Sequence, residues 1–489
     1  MSGKNIKDLF SQTTIYGVGL LANKAISFVL LPLYTFYFTP SELGAYNIVQ
    51  SLWMFIILFY LYGQETSFIK LFIDGKNDNE KKSIYSTTLI MLTASSLLFS
   101  LVLYLLSGSI TSLLEFEDPV KGLMYIKILS LILFTDALFR FPLLLLRAEL
   151  KAARYLFLTL LSLAVNVTLN FILIISYGLG VEAIFYSYIV SVVVTFIAGL
   201  LITRKYLSLY FSAVFAKKLV SYGVKFIFVG VFILLIDVSD RFFLKYIFNE
   251  EVVGIYSANY RLASVMSLLI AAFRFSWTPY FLNLEKNPEN KKIVSQIFTY
   301  IVFIGLFLFL FFALFTEPIV KISFGKFSLL DIRYQSGLII IPYVLMAYVF
   351  SGLYSALSVA PFYADKTKEL LYVSGLGFAI NMILNYFFII HFGILGASLS
   401  TLFTYFVMMV VLYYRAQKIY RIDYELKKIF LLFLFSIILF VFSQLIKGLF
   451  SNTIFIIISV LLIIIFLILS KLFKAFDIST VKSILIKNT

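Results

Sequence analysis

The sequence predicts an all-α polytopic membrane protein with about 14 transmembrane helices. Of its 489 residues, 62% are apolar and 13% are charged, and the mean hydropathy is +1.00. A soluble domain has about 45–50% apolar and about 25% charged residues, so this composition is typical of a chain that lies mostly in lipid. A spanning helix needs about 20 apolar residues, and those of this chain would fill roughly 14 or 15 such helices.

The predicted spans follow apolar runs that are separated by polar or Gly/Pro clusters. The N-terminal segment is polar and shows no signal-peptide cleavage site, so we expect the first helix to be retained. A first series of six spans is predicted at residues 12–38, 46–70, 83–107, 122–146, 155–177 and 182–203. A second series is predicted at 219–246, 255–280, 293–316, 337–361, 370–391 and 396–416, and a final pair at 429–446 and 454–471.

The distribution of Lys and Arg supports an even number of spans with both termini in the cytoplasm. Basic residues concentrate in cytoplasmic loops. When the N-terminus is placed inside, the predicted outer connections hold only six of them: Lys121, Lys245, Lys321, Lys326, Arg333 and Lys447. An outer segment with Glu115, Glu117 and Asp118 agrees with this orientation.

The same counts exclude several function classes. The chain has no cysteine and one histidine, His391, so we expect neither a metal site nor a cofactor. The net charge of +15 is explained by basic loops that face anionic lipid headgroups, and we expect no nucleic-acid partner. Phosphate-loop and zinc-protease motifs are absent from the sequence, which argues against an enzyme. A membrane glycosyltransferase or ligase remains an alternative, although such enzymes usually carry larger polar loops.

An internal repeat divides the chain into two halves. Asn166 and Asn170, followed by Gly178, match Asn381 and Asn385, followed by Gly393, at an offset of 215 residues. Gly44 matches Gly254 at an offset of 210, and Gly17 matches Gly223 at 206. The offset covers six helices, so the halves are parallel repeats. The sequence thus predicts an N-lobe at 1–210, a C-lobe at 211–420, and two further helices with a cytoplasmic tail at 421–489.

The repeated residues suggest structural roles. Gly44 and Gly254 each follow an acidic outer turn, so we expect them to open the next helix where a tight connection excludes a Cβ atom. The two asparagine pairs lie one helical turn apart, and we interpret them as interhelical hydrogen-bonding groups, with substrate contact as the alternative.

The helix plan of six, six and two, the Gly44 and Gly254 turns and the paired asparagine motifs resemble the polysaccharide-biosynthesis, O-antigen (Wzx-type) flippase family of the MOP exporter superfamily. The resemblance covers essentially the whole chain and extends to lipid II flippases and, more distantly, multidrug antiporters. It implies two six-helix lobes around a central cavity that opens alternately to each side, with the last two helices near the lipid tail. It also implies a bacterial cytoplasmic (inner) membrane location.

Charged residues within the predicted spans are the candidate site, because a charge at the bilayer centre costs about 2.5–3.5 kcal/mol on insertion scales. Asp136 and Arg140, and Asp237 and Arg241, are i, i+4 pairs that could neutralise each other or face a solvated cavity. The cationic candidates for substrate binding are Lys24, Arg140, Arg241, Arg261 and Arg274. The acidic candidates for H⁺ or Na⁺ coupling are Glu65, Asp136, Asp237 and Asp240.

The resemblance implies the substrate and the partners. We expect a flippase that moves an undecaprenyl-pyrophosphate-linked oligosaccharide, such as an O-antigen or capsule repeat unit, by alternating access. The cationic residues would bind the pyrophosphate. Membrane lipids, and the polymerase and ligase of the same glycan pathway, are the other expected partners. A lipid II flippase and a cation-coupled multidrug antiporter are the alternatives within the fold.

Overall fold

The structure is a computed structural model that describes Gly19, Ile26 and residues 28–208, 210–223, 227–282, 288–324, 327–364 and 366–473. The described residues form two compact units, with the boundary in sequence between Ala258 and Asn259. The predicted division of the chain at residues 210 and 420 stays a prediction. It is drawn from a sequence repeat, whereas the two compact units are defined by which residues pack together.

The described residues of the first unit form helices joined by short turns and loops. A π-helical turn, Ile172–Ser176, extends the seventh helix, and a 3₁₀ turn, Arg204–Tyr206, follows the eighth. The helices are α1 (Leu31–Tyr37), α2 (Pro40–Leu61), α3 (Gln64–Asp74), α4 (Asp78–Leu105), α5 (Ser107–Leu114), α6 (Pro119–Ala148), α7 (Ala152–Phe171), α8 (Glu182–Thr203), α9 (Ala213–Gly223), α10 (Ile227–Ile247) and α11 (Glu250–Ala263), whose last residues belong to the second unit.

The second unit adds seven more helices among its described residues. Two antiparallel two-residue strands, β1 (Ser323–Phe324) and β2 (Phe327–Ser328), and a 3₁₀ segment, Ile332–Ile340, precede the third of them. The helices are α12 (Val265–Leu282), α13 (Pro288–Val320), α14 (Ile341–Leu357), α15 (Val359–Tyr363), α16 (Lys368–Ile419), α17 (Leu426–Ile446) and α18 (Asn452–Leu472).

The described residues contain ten segments that are long and apolar enough to cross a membrane. The all-helical membrane fold is therefore confirmed. The count of fourteen and the side of each terminus stay predictions. Most of the first predicted span, residues 12–38, lies outside the described residues. The charged helix α10 and the divided segment α11–α12, which correspond to the seventh and eighth predicted spans, are not among the ten.

Local sequence signals explain where the helices begin. Thr39 caps α2 in a capping box with Glu42, and Pro40 occupies the first helical turn. Asp118 accepts hydrogen bonds from two backbone N–H groups at the start of α6, where Pro119 follows it. These caps place the start of each helix three to six residues before the predicted span, since capping turns are polar and apolar runs do not reveal them.

Backbone conformation corrects one predicted span and confirms two others. The span predicted at 46–70 is broken, because Tyr62 (φ 31°) and Gly63 (φ 74°) are both left-handed and separate α2 from α3. The spans predicted at 370–391 and 396–416 are the two helical arms of α16, which are separated by a sharp kink at Gly393, where the backbone is not helical (φ 56°, ψ −131°). The arms pack against each other, since Arg415 of the second forms an ion pair with Glu369 of the first. The kink brings the backbone of Gly396 close to that of Phe388, so that a Cβ on Gly396 would lie 2.0 Å from the carbonyl oxygen of Phe388.

In each unit, one or two helices contact several of the others. Helix α6 contacts α2, α4 and α8 in the first unit. In the second unit α14 contacts α13 and α16, and the C-terminal helices α17 and α18 both pack on α13.

Buried asparagines connect these helices, as expected. The Tyr34 hydroxyl donates to Oδ1 of Asn170 at 2.9 Å, and Asn381 Nδ2 donates to the hydroxyl of Thr404 at 3.2 Å. All four asparagines of the repeat are buried. The predicted role in joining helices is thus confirmed for Asn170 and Asn381, whereas Asn166 and Asn385 bond to these two within their own helical segments.

Candidate functional site

A charged cluster lies among the spanning helices of the first unit. Asp136 and Arg140 are one turn apart on α6, and both Nε and Nη2 of Arg140 donate to Asp136 Oδ2, at 3.2 and 3.0 Å. Trp53 Nε1 on α2 donates to the same oxygen at 3.2 Å, and the Tyr188 hydroxyl on α8 donates to Oδ1 at 2.7 Å. Asp136 is 1% exposed, so its carboxylate is buried and fully hydrogen-bonded.

Glu65 completes this cluster from the first turn of α3. Its Oε1 lies 3.6 Å from Nη1 of Arg140, and the two side chains are 40% and 38% exposed. The cluster therefore has a buried half, Asp136, and an accessible half, Glu65 and Arg140. It brings two carboxylates and one guanidinium together, and a guanidinium is a group that can bind an anion through paired hydrogen bonds.

A second cluster lies on α10 and α11. Arg241 Nη1 donates to Oδ1 of Asp240 at 3.0 Å and to the backbone oxygen of Asp237 at 2.5 Å. The Tyr256 hydroxyl donates to the other oxygen of Asp240 at 2.5 Å. The expected i, i+4 ion pair between Asp237 and Arg241 is thus corrected: the carboxylate that Arg241 meets is that of its neighbour, Asp240, and Asp237 contributes its backbone oxygen.

The remaining cationic candidates lie elsewhere. Arg261 is half-buried in the last turn of α11, and Arg274 is exposed in the middle of α12, both in the second unit. Lys24 lies outside the described residues. The structure therefore joins Glu65, Asp136 and Arg140 in one cluster. Among the described residues, no group of three or more His, Asp or Glu side chains is placed to hold a metal ion.

Two close backbone crossings lie near the two ends of α2. The outer crossing consists of Pro40, Gly44, Glu250 and Gly254, on the side that the sequence predicts to be extracytoplasmic. A Cβ on Gly44 would lie 1.8 Å from the carbonyl oxygen of Glu250, and a Cβ on Gly254 would lie 1.8 Å from that of Pro40. The expected role of these glycines is therefore corrected: each lies within a helix, and the partner helix rather than a turn excludes a side chain.

Ionic contacts surround the outer crossing. Lys245 and Glu250 form a buried ion pair at 2.7 Å, with side chains 5% and 4% exposed. The backbone N–H of Glu117 donates to Oε1 of Glu250 at 3.2 Å, and that of Glu250 donates to Oε1 of Glu117 at 3.1 Å. Ser41 on α2 donates to Glu117 at 2.6 Å. These contacts join the starts of α2 and α11 through the loop before α6.

The inner crossing consists of Tyr62, Gly63 and Gly223. A Cβ on Gly63 would lie 2.0 Å from the carbonyl oxygen of Gly223. The Lys70 ammonium lies 4.4 Å from the centre of the Tyr222 ring, which adds a cation–π contact between α3 and α9. Next to this crossing, Gln64 is fully buried, and neither polar atom of its side chain has a hydrogen-bond partner among the described residues. A buried polar group without a partner costs about 1–3 kcal/mol.

Sequence reasoning missed several of these residues. Trp53, Tyr188 and Tyr256 come to the acids from other helices, and no spacing within one helix reveals such partners. The contact between Gly63 and Gly223 was also missed, because Gly63 is not part of the internal repeat. The Tyr62-Gly63 pair within an otherwise apolar run was the available indication that the helix breaks there.

The fold and the embedded charges define a polytopic helical membrane protein with charged clusters among its spanning helices. At a TM-score of 0.76 and 16% identity, the chain resembles the lipid II flippase MurJ in an inward closed conformation, over 95% of this chain and 99% of that one. It also resembles an inward-facing MATE-family multidrug resistance transporter, with a TM-score of 0.65, 17% identity and coverage of 82% and 95%. A point mutant of the Vibrio cholerae MATE transporter VcmN gives a TM-score of 0.61, 15% identity and coverage of 84% and 96%.

A family model described as "Polysaccharide biosynthesis protein" matches residues 37–327, which is more than half of the chain. The protein belongs to this polysaccharide biosynthesis family. A search of curated protein sequences found no match.

Proposed function

We propose that the protein is a flippase that moves an undecaprenyl-pyrophosphate-linked oligosaccharide from the cytoplasmic to the outer leaflet of a bacterial inner membrane. The observation that carries the proposal is the Arg140 guanidinium, 38% exposed among spanning helices, in a chain of the polysaccharide biosynthesis family. A guanidinium binds phosphate oxygens through paired hydrogen bonds. No covalent step is needed, so we infer that the protein is not an enzyme.

Arg140 would bind the pyrophosphate in competition with Glu65. The Glu65–Arg140 separation of 3.6 Å is long for an ion pair, and both groups are accessible, so an arriving anion can replace the carboxylate. Asp136 would remain bonded to Arg140 and hold it in place. Protonation of Glu65 would release Arg140 for the substrate, which makes Glu65 the acid that we propose for H⁺ coupling. Asp136, Asp237 and Asp240 are the other coupling candidates, and Na⁺ is the alternative ion.

Alternating access would use the two crossings as gates. Both the outer and the inner crossing are formed in this structure. Transport requires each to open in turn, and the substrate can drive this only by binding the open states with different affinity. Lys24, Arg241, Arg261 and Arg274 are the further cations that we propose to line the substrate path.

The test is lipid mass spectrometry in cells depleted of the protein and supplied with variants. Without the protein, an undecaprenyl-pyrophosphate-linked repeat unit should accumulate. Arg140→Gln should fail to clear it, whereas the control Arg147→Gln, which changes an exposed residue in the last turn of the same helix, should restore export. Normal export with Arg140→Gln at equal protein abundance would refute the assignment of the site.

The second candidate is a lipid II flippase, favoured by the likeness to MurJ along nearly the whole chain. Accumulation of lipid II in the depleted cells would support it and exclude the first. If neither lipid accumulates, a multidrug antiporter is the remaining candidate of this fold, and loss of drug efflux would identify it. We further propose that the polymerase and ligase of the same glycan pathway receive the transported unit.

A further inference from the structure

A groove on the surface of the first unit is not used by the proposed transport. It lies between α4 and α6, with Tyr186 of α8 at one side, and its volume is about 770 Å³. Its wall is mainly apolar and includes the exposed residues Leu97, Leu101 and Leu131. In a spanning unit, an exposed apolar groove of this kind faces lipid.

One cation lies in this groove. Lys127 is on α6, and its ammonium lies 5.4 Å from the centre of the Tyr104 ring. Tyr104 is one residue from the end of α4, so the ammonium lies at the end of that helix, where tyrosines mark the membrane interface. Among the described residues, no carboxylate is within ion-pair distance of Lys127.

The two serine hydroxyls of the groove are already bonded to protein. The Ser130 hydroxyl donates to the backbone oxygen of Lys127 at 2.7 Å, and the Ser100 hydroxyl is 3.1 Å from that of Tyr60. Among the described residues that line the groove, Lys127 is the charged one, so a ligand that matches the groove is anionic at the interface and apolar below it. From Lys127 to Phe134 the apolar wall extends seven residues, or about 10 Å along the helix.

We propose that this groove binds one anionic phospholipid of the surrounding leaflet, with its phosphate on Lys127 and one acyl chain along α4 and α6. The predicted topology makes this the outer leaflet. Charge complementarity selects an anionic headgroup, because the site offers one cation and no paired carboxylate for a headgroup amine. The site is independent of the transported substrate.

In the test, the purified full-length protein in detergent is titrated with phosphatidylglycerol or with phosphatidylethanolamine of the same acyl chains. The number of bound lipids is measured by native mass spectrometry. Wild type should retain one phosphatidylglycerol about fivefold more tightly than phosphatidylethanolamine, which is the effect of one interfacial cation. Lys127→Met should remove the preference and Lys127→Arg should keep it. Lys121→Met, which changes an exposed cation on the same helix, should leave it unchanged.

Leu101→Trp provides a second variant, since it fills the groove and keeps the charge. It should weaken retention of both lipids. The proposal is overturned if Lys127→Met retains the preference, or if the lipid that wild type keeps through purification and Lys127→Met loses is a polyprenyl phosphate. A melting curve for each variant separates loss of the site from loss of the fold.

Discussion

Replacing Gly254 with alanine should open the outer crossing. The new Cβ would lie 1.8 Å from the Pro40 carbonyl oxygen, whereas real Cβ atoms essentially never approach within 3.0 Å, so the two helix starts must separate by more than 1 Å. Forcing extra atoms into a packed contact costs typically about 1–3 kcal/mol. Because 1.4 kcal/mol is a factor of about ten, the closed crossing should become roughly 5- to 140-fold less populated relative to the open one.

Cysteine accessibility measures this shift without background, because the native chain has no cysteine. Ser257→Cys is a suitable reporter, since Ser257 is 3% exposed and lies three residues from Gly254, on the same side of α11. Its reaction with a membrane-impermeant maleimide in sealed cells should be slow when Gly254 is present and at least about fivefold faster with Gly254→Ala.

Gly230→Ala is the matched control, because a Cβ on Gly230 in α10 meets no atom within 4 Å. In Gly230→Ala, the Ser257→Cys reporter should react with the maleimide as slowly as it does in the protein that retains both glycines. Equal labelling of the Gly254→Ala and Gly230→Ala proteins, both folded, would show that the outer crossing does not limit access and would refute its role as a gate.

Three further perturbations test other parts of the structure. Asp136→Asn leaves Arg140 without its buried acid and should lower the free energy of unfolding by about 3 kcal/mol in a denaturant titration. This is the low end of the range for a broken buried ion pair, because Arg140 is partly exposed. The double variant with Arg140→Met should recover most of the lost free energy. Burial raises the pKa of Glu149, but hydrogen bonds from Lys151, Tyr206 and Lys205 outweigh it and hold this pKa below its usual 4.5. The Glu149 carboxylate therefore stabilises the fold above pH 4.5, and this stabilisation should disappear as the pH falls through the lowered pKa. Over that interval the melting temperature should decline less in Glu149→Gln than in wild type. Gln64→Leu removes two buried polar atoms that have no partner within the described part of the chain, and it should favour the closed inner crossing by about 1–3 kcal/mol. The measurement is the labelling rate of a cysteine at position 67, where the native serine is buried on α3; this rate should fall.

The sequence predicts the parts of this structure that depend on neighbours along one helix. The span at 182–203 coincides with α8, and the turn from Asp136 to Arg140 is the ion pair that its spacing suggests. Tertiary contacts were beyond such reasoning. Trp53 and Tyr188 reach Asp136 from other helices, and the close approach at Gly44 depends on a helix about 200 residues away.

Lys127 shows a different limit. Lys127 lies within a predicted span, where the sequence does not distinguish a ligand-binding lysine from one whose side chain merely reaches the membrane interface. The Tyr104 ring and the groove beside Lys127 make that distinction in the structure.

The outer crossing has the symmetry of an isologous dimer contact. Residue 44 meets residue 250, and residue 254 meets residue 40, which are the same pair of positions exchanged through the 210-residue offset. In a two-fold homodimer such reciprocity is required by the operator, because one surface patch faces its own copy. Here a single chain preserves it at the starts of α2 and α11. Alanine at Gly44 and alanine at Gly254 are therefore equivalent lesions in space, and a double substitution falls on one contact rather than on two independent sites.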